Sequence, residues 1–249
     1  MTRRSLALTG ALTGALAGAL AVGAITACGV IPAPPGPLEA DFVPQITAPS
    51  AASAEPASAD GFSTEQRLAV RVRVETCTGW ATGSGWVLSS HQVITNRHVA
   101  EGATHIEVTT YDGRDFVVNS SVIAAVPDLT LLTLDDVFTE SADVSEVYPR
   151  VGLPLTIVGY PLGQELTVEQ GTFVESEVES LGDSGASVWL IDAHIDHGSS
   201  GSPVYDENGE VVAIVYAGDD QWNALAWPAS WLQDLLDDPA GWTENTADC

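Results

Sequence analysis

Three short stretches hold residue types that can share one nucleophilic reaction. His98 sits in the phrase TNRHV just after a strand-like run, Asp128 stands just before the apolar run LTLLTL, and Ser200 lies in the turn GSSGSP. A serine hydroxyl is a weak nucleophile until a neutral imidazole accepts its proton, and a carboxylate on the far ring nitrogen fixes the tautomer and stabilises the imidazolium. Two serines compete for the role. Ser184, in GDSGAS, lies between TFVESEVES and ASVWLIDA and reads as a hairpin loop, whereas Ser200 is followed by proline and a strand. Of the five histidines (His91, His98, His105, His194, His197), His98 is singled out by its phrase and its place in the order His, Asp, Ser. Asp112 and Asp115, in YDGRD, read as turn residues, which leaves Asp128 as the carboxylate.

The elements that must position these residues are strands. From about Gln66 the chain alternates or runs apolar over short stretches at 68–75, 84–90, 92–95, 105–110, 115–126 and 129–134, with Gly, Asp and Ser between them. Further runs follow at 153–159, 166–178, 186–193, 210–218 and 223–228. About a dozen strands with almost no helical periodicity predict an all-β sandwich or barrel. The exception is ASWLQDLLDD, 229–238, where Trp231, Leu232, Leu235 and Leu236 fall at helical spacing after Pro228 and predict one closing helix.

Five phrases in order now carry a resemblance: GSGW at 83–86, TNRHV at 95–99, PDLTLL at 127–132, VGYPLGQELTVEQGTF at 158–173 and IDAHIDHGSSGSPVYDENGEVVAI at 191–214. They resemble the chymotrypsin-like serine proteases, and among them the compact bacterial HtrA/Deg-like branch, here expected without a PDZ module. The resemblance implies two six-stranded antiparallel β-barrels with the site between them and a C-terminal helix, and it maps the triad onto His98, Asp128 and Ser200. It also implies an oxyanion hole from the amides of Gly198 and Ser200, with glycine at 198 free to turn its amide inward. By the same resemblance His194 lies near the base of the primary specificity pocket, and Val215, Tyr216 and Ala217 present an edge to a peptide backbone. A polypeptide substrate is implied, with no metal and no cofactor. Two positions depart from the pattern: Ser199 stands where Asn or Asp is usual, and Ser202 where glycine is commonest. The first argues against a zymogen switch that buries a new N-terminus. Together they keep open a second reading, an inactive trypsin-fold lipoprotein that binds a peptide or a wall component. An α/β-hydrolase esterase is excluded, since that fold orders its triad Ser, Asp, His.

The chain's beginning has the layout of an export signal. Residues 1–27 carry Arg3 and Arg4 ahead of an uncharged Ala/Leu/Gly run, and Ile25–Cys28 resembles a lipobox in which Cys28 is lipidated. Residues 28–62 hold seven prolines among Ala and Ser, which predicts a disordered tether ahead of a domain at 63–249. The expected location is the outer face of the cytoplasmic membrane, touched only through the lipid, or the exterior. Without the signal, six arginines and no lysine oppose 34 acidic residues, a formal charge of −28. Such a surface repels phosphate backbones and excludes nucleic acid as a partner. With Cys28 given to lipid, Cys77 and Cys249 remain, either as two separate thiols or as a disulfide. Closing that loop of 172 residues is worth about 5 kcal/mol in the chain-entropy account.

Overall fold

The computed structural model describes residues 58–179, 185–219, 221, 223–247 and 249. The signal, Cys28, most of the tether and Ser184 lie outside them. Contacts with the sheet begin three residues before the expected domain start at 63: the Tyr111 hydroxyl donates to Asp60 at 3.1 Å, and the rings of Phe62 and Tyr111 meet edge-on at 5.0 Å.

The elements run in order α1 (Thr64–Leu68), β1 (Ala69–Thr76), β2 (Gly79–Ser89), β3 (Gln92–Thr95), α2 (Arg97–Ala100), β4 (Ala103–Thr110), β5 (Asp115–Val117), β6 (Ser120–Ala124) and β7 (Leu129–Thr133). A second set follows: β8 (Pro154–Gly159), β9 (Thr167–Val178), β10 (Ser187–His194), β11 (Pro203–Tyr205), β12 (Val211–Gly218), β13 (Asn223–Pro228), α3 (Ala229–Asp237) and β14 (Thr243–Glu244). Period-two alternation does what the sequence reading asks of it. In β1, Val70, Val72 and Val74 are buried while Arg71 and Arg73 face outward. The expected closing helix is α3, with Leu232 and Leu235 buried and Trp231 packed edge-on against Trp227; Leu236 faces out.

The all-β expectation holds, but the two closed barrels do not. Strands β10-β13-β12-β11-β8-β9 close into a six-stranded barrel, whereas β14-β6-β7-β3-β2-β1-β4-β5 form an open eight-stranded sheet, a half-barrel. Closure fails because β5 is three residues long and the chain leaves it at Asn119, whose amide turns to Thr133 O and whose side chain engages Asp135. The β4–β5 ladder ends with Val118 N donating to Ile106 O at 3.0 Å. Asn245, just after β14, ties the α2–β4 turn to β6: its side chain accepts from Gly102 N and donates to Ala100 O and Ser121 Oγ. The structure joins Cys77, at the β1–β2 turn, to Cys249 in a disulfide, with Cα atoms 5.6 Å apart.

The half-barrel core runs on into the second sheet, where Val158, Tyr205, Val211 and Ile214 join it, while the barrel interior forms a cluster of its own. Val72, Trp86, Ile94, Leu129 and Leu132 fill the half-barrel, and Ile157, Phe173, Trp189, Ile191, Val204 and Val215 fill the barrel. Three tyrosines are buried with them. Burial pushes the Tyr160 phenol up to about 12 and raises those of Tyr205 and Tyr216 as well. Because the folded state favours the neutral phenols, the unfolded chain releases its protons first as pH passes the ordinary value of 10.0. Stability is therefore expected to be full below that pH and to fall from there toward about 12. Melting temperature followed across alkaline pH checks this, and a flat profile would contradict it.

Candidate active site

His98 is the second residue of α2, a single helical turn whose Val99 and Ala100 are anchored in the half-barrel core. The start of that turn is held by Asp128, immediately before β7. Its backbone carbonyl accepts from Arg97 N at 3.2 Å and from the Asn96 side-chain amide at 2.9 Å. Its carboxylate grips His98 twice, Oδ1 accepting the main-chain N–H at 3.0 Å and Oδ2 facing ring Nδ1 at 2.5 Å. A carboxylate at Nδ1 places the proton there, so Nε2 carries the lone pair. Asp128 is 15% exposed and the His98 ring 46%, so the supporting group is sheltered while the base reaches solvent.

Ser200 comes from the other sheet, in the loop between β10 and β11. Two tight turns shape that loop, Ser199 N donating to Asp196 O and Ser202 N to Ser199 O, each at 3.0 Å. Gly198 has φ +90° and Gly201 φ +89°, a region that favours glycine. At Gly201 the space is closed too, since a Cβ would meet Ser84 O and come within 2.7 Å of Thr95 Oγ1. Gly201→Ala is expected to cost about 3 kcal/mol from strain and overpacking together, read as a lower urea midpoint, and to slow turnover by displacing Ser200. A variant as stable and as active as the parent would show that the loop yields.

Ser200 and His98 line one cleft of about 510 Å³. The Ser200 hydroxyl donates to Tyr216 O at 3.4 Å rather than to His98, so it must rotate to meet the imidazole. The His197 carbonyl is held by Leu162 N at 2.6 Å, and in a trans peptide the following N–H points the opposite way. Among the described residues neither the Gly198 nor the Ser200 N–H donates to a protein acceptor, while the intervening Ser199 N–H does.

Of the residues expected to bind substrate, Tyr216 and Ala217 line the cleft. Val215 lies behind them in the barrel core. His194 is outside the cleft: its side chain is 66% exposed, with Nε2 3.9 Å from Asp196 Oδ2. The reason is alternation. Ile191, Ala193 and Ile195 point inward, so Asp192 and His194 between them point away, and the cleft is walled by Ile195, Asp196 and His197. Gly218 and Asp219 complete the wall. The alternation in IDAHI carries this signal in the sequence, and placing the pocket by distance from Ser200 overlooks it. Asp219 also caps its own turn, accepting from Gln221 N and Asn223 N; burial pushes its carboxyl up, but the hydrogen bonds from Asn223 and Gln221 together hold it below the usual range.

A family model described as the trypsin-like peptidase domain matches residues 83–214, over half of the chain. The chain belongs to that family. Serine protease Do-like HtrA of Bacillus subtilis (strain 168) is 33% identical over 146 residues, covering 53% of this chain and 32% of that protein. A probable periplasmic serine endoprotease DegP-like of Rhizobium meliloti (strain 1021) is 30% identical over 166 residues, 63% of this chain and 33% of its own length. The chain thus spans about a third of the curated relatives it matches. Among solved structures, the active form of the Rv3671c protease of M. tuberculosis superposes with a TM-score of 0.64 at 21% identity, over 74% of this chain and 85% of that one. The two share a fold.

Proposed function

We propose that the chain is a serine endopeptidase in which Ser200 is the nucleophile, His98 the general base and acid, and Asp128 the group that orients and charges His98. The observation that carries this reading is the double grip of the Asp128 carboxylate on His98, which leaves Nε2 as the acceptor in the cleft that Ser200 also lines. Ser200 Oγ adds to the scissile carbonyl carbon while its proton passes to Nε2. The carbonyl oxygen, now an anion, is received by the Gly198 and Ser200 amides. Cleavage of the C–N bond takes the proton from His98 to the leaving amine, and water repeats the sequence on the acyl-enzyme. The substrate backbone runs along Tyr216 and Ala217, adding a strand to the edge of β12.

Export and anchoring through Cys28 are part of the proposal. They are supported by the signal-like residues 1–27 and by the periplasmic description of the R. meliloti relative. A fluorophosphonate probe tests the chemistry: the protein should label on Ser200, and labelling should vanish in Ser200→Ala. No labelling, or labelling that survives the substitution, would defeat the endopeptidase reading. Metabolic incorporation of a labelled fatty acid that disappears in Cys28→Ala tests the anchor.

A further inference from the structure

We propose that Ser84 is a positioning residue that sets the oxyanion-receiving loop from the opposite sheet. The inference rests on the reading that Gly198 and Ser200 receive the oxyanion. Ser84 belongs to β2 of the half-barrel, is completely buried, and lies against apolar neighbours of the core. A hydroxyl there costs desolvation unless it is fully engaged. It is engaged, and two of the four hydrogen bonds that Ser84 makes outside its own strand pairing go to the catalytic loop. Ser84 Oγ donates to Gly198 O at 2.8 Å and accepts from Tyr160 N at 2.8 Å. Ser84 N donates to Ser200 O at 2.8 Å, and Ser84 O accepts from Thr95 Oγ1 at 2.7 Å.

The consequence appears when the carbonyls of the loop are taken in sequence. His197 O is held by Leu162 N, Gly198 O by Ser84 Oγ, Ser199 O by Ser202 N and Ser200 O by Ser84 N. Four consecutive peptide groups are pinned through their oxygens, two of them by one residue. Each pinned carbonyl turns the following N–H the other way. The 197–198 and 199–200 peptides thereby display the Gly198 and Ser200 amides, which find no acceptor among the described residues. Gly198, with no Cβ, leaves the orientation of the 198–199 peptide to its two hydrogen bonds, Ser199 N to Asp196 O on one side and Ser84 Oγ to Gly198 O on the other. Among the described residues Ser84 is the one whose side chain restrains that peptide's oxygen, and the carbonyl of Ser200 hangs from the same residue. Electrostatic stabilisation depends on donors already aimed at the developing charge, so a loosened peptide lowers the rate without altering how the rest of the substrate binds.

The test is Ser84→Ala, assayed on a peptide substrate that the parent cleaves. Expected are a fall in kcat of about 10- to 100-fold and a KM within about 2-fold of the parent. Two inhibitors of the same sequence separate positioning from general damage. In a peptidyl trifluoromethyl ketone, Ser200 Oγ adds to the ketone carbon, the proton passes to His98 and the oxygen becomes the anion, so its affinity should fall with kcat. A reduced-bond peptide has no carbonyl to polarise, and its affinity should hold. Unchanged kcat, or equal loss of both affinities, overturns the proposal. If Ser84→Ala does not fold, the near-isosteric Ser84→Cys, a weak donor, should give the same split at smaller size; parental kinetics in that variant would overturn it. Failure of the parent to cleave any peptide or to take the fluorophosphonate would instead remove the active-site reading on which the proposal stands.

Discussion

Ser200→Ala should lower kcat on the order of 10⁶-fold, while Ser184→Ala leaves it near the parental value. The two substitutions remove the same hydroxyl from similar phrases, GSSGSP and GDSGAS, so the contrast isolates position from wording. Ser200 shares a cleft with the imidazole of His98, has its carbonyl fixed by Ser84 N, and is followed by a glycine that nothing larger can replace without contact. Removing Oγ deletes the bond-forming atom but none of those contacts, so the variant should melt like the parent and still bind peptide. Steady-state turnover and thermal melting on both variants read this out. Activity lost in Ser184→Ala and kept in Ser200→Ala would reverse the assignment.

Asp128→Asn should cost about 10⁴-fold in kcat with thermal melting nearly unchanged. The argument rests on the two contacts of one carboxylate. Oδ1 accepts the His98 main-chain N–H, and this bond obliges the asparagine to keep its amide oxygen on that side. The amide nitrogen then faces ring Nδ1, where Oδ2 stood, and presents hydrogens to it. The imidazole must accept at Nδ1 and carry its proton on Nε2, which leaves no base facing Ser200. Loss of less than about 10-fold would mean that Asp128 does not set the tautomer.

Much of this arrangement was legible before any coordinates, for a physical reason. Strands announce themselves by alternation, so β3 was expected at 92–95 and lies there, and α3 was expected at 229–238 and ends one residue earlier. The run 115–126 was expected as one strand and is two, because Asn119 turns its amide to β7 and breaks the pairing. Short elements were missed where tertiary contacts make them. The three-residue β11 is held between β8 and β12, and two-residue β14 exists only against β6. Helix α1 carried a readable signal in STEQ, where Ser63 and Gln66 cap each other's backbone in a capping box, but five residues show too little periodicity to stand out. The open half-barrel could not be read at all, since closure depends on whether two distant edges meet. The importance of Ser84 was hidden for the same reason: its partners Gly198 and Ser200 lie more than a hundred residues away.

The proposed reacting groups are divided between the two sheets, His98 and Asp128 on the half-barrel and Ser200 on the barrel. Neither half holds a working site, so turnover behaves as a logical AND between them. Heating or denaturant that loosens one sheet against the other across their shared core should extinguish activity before the strands themselves are lost from circular dichroism. An assay of rate is then the more sensitive thermometer of the docked state, and tightening the core that the two sheets share is the direct route to an enzyme that works hotter.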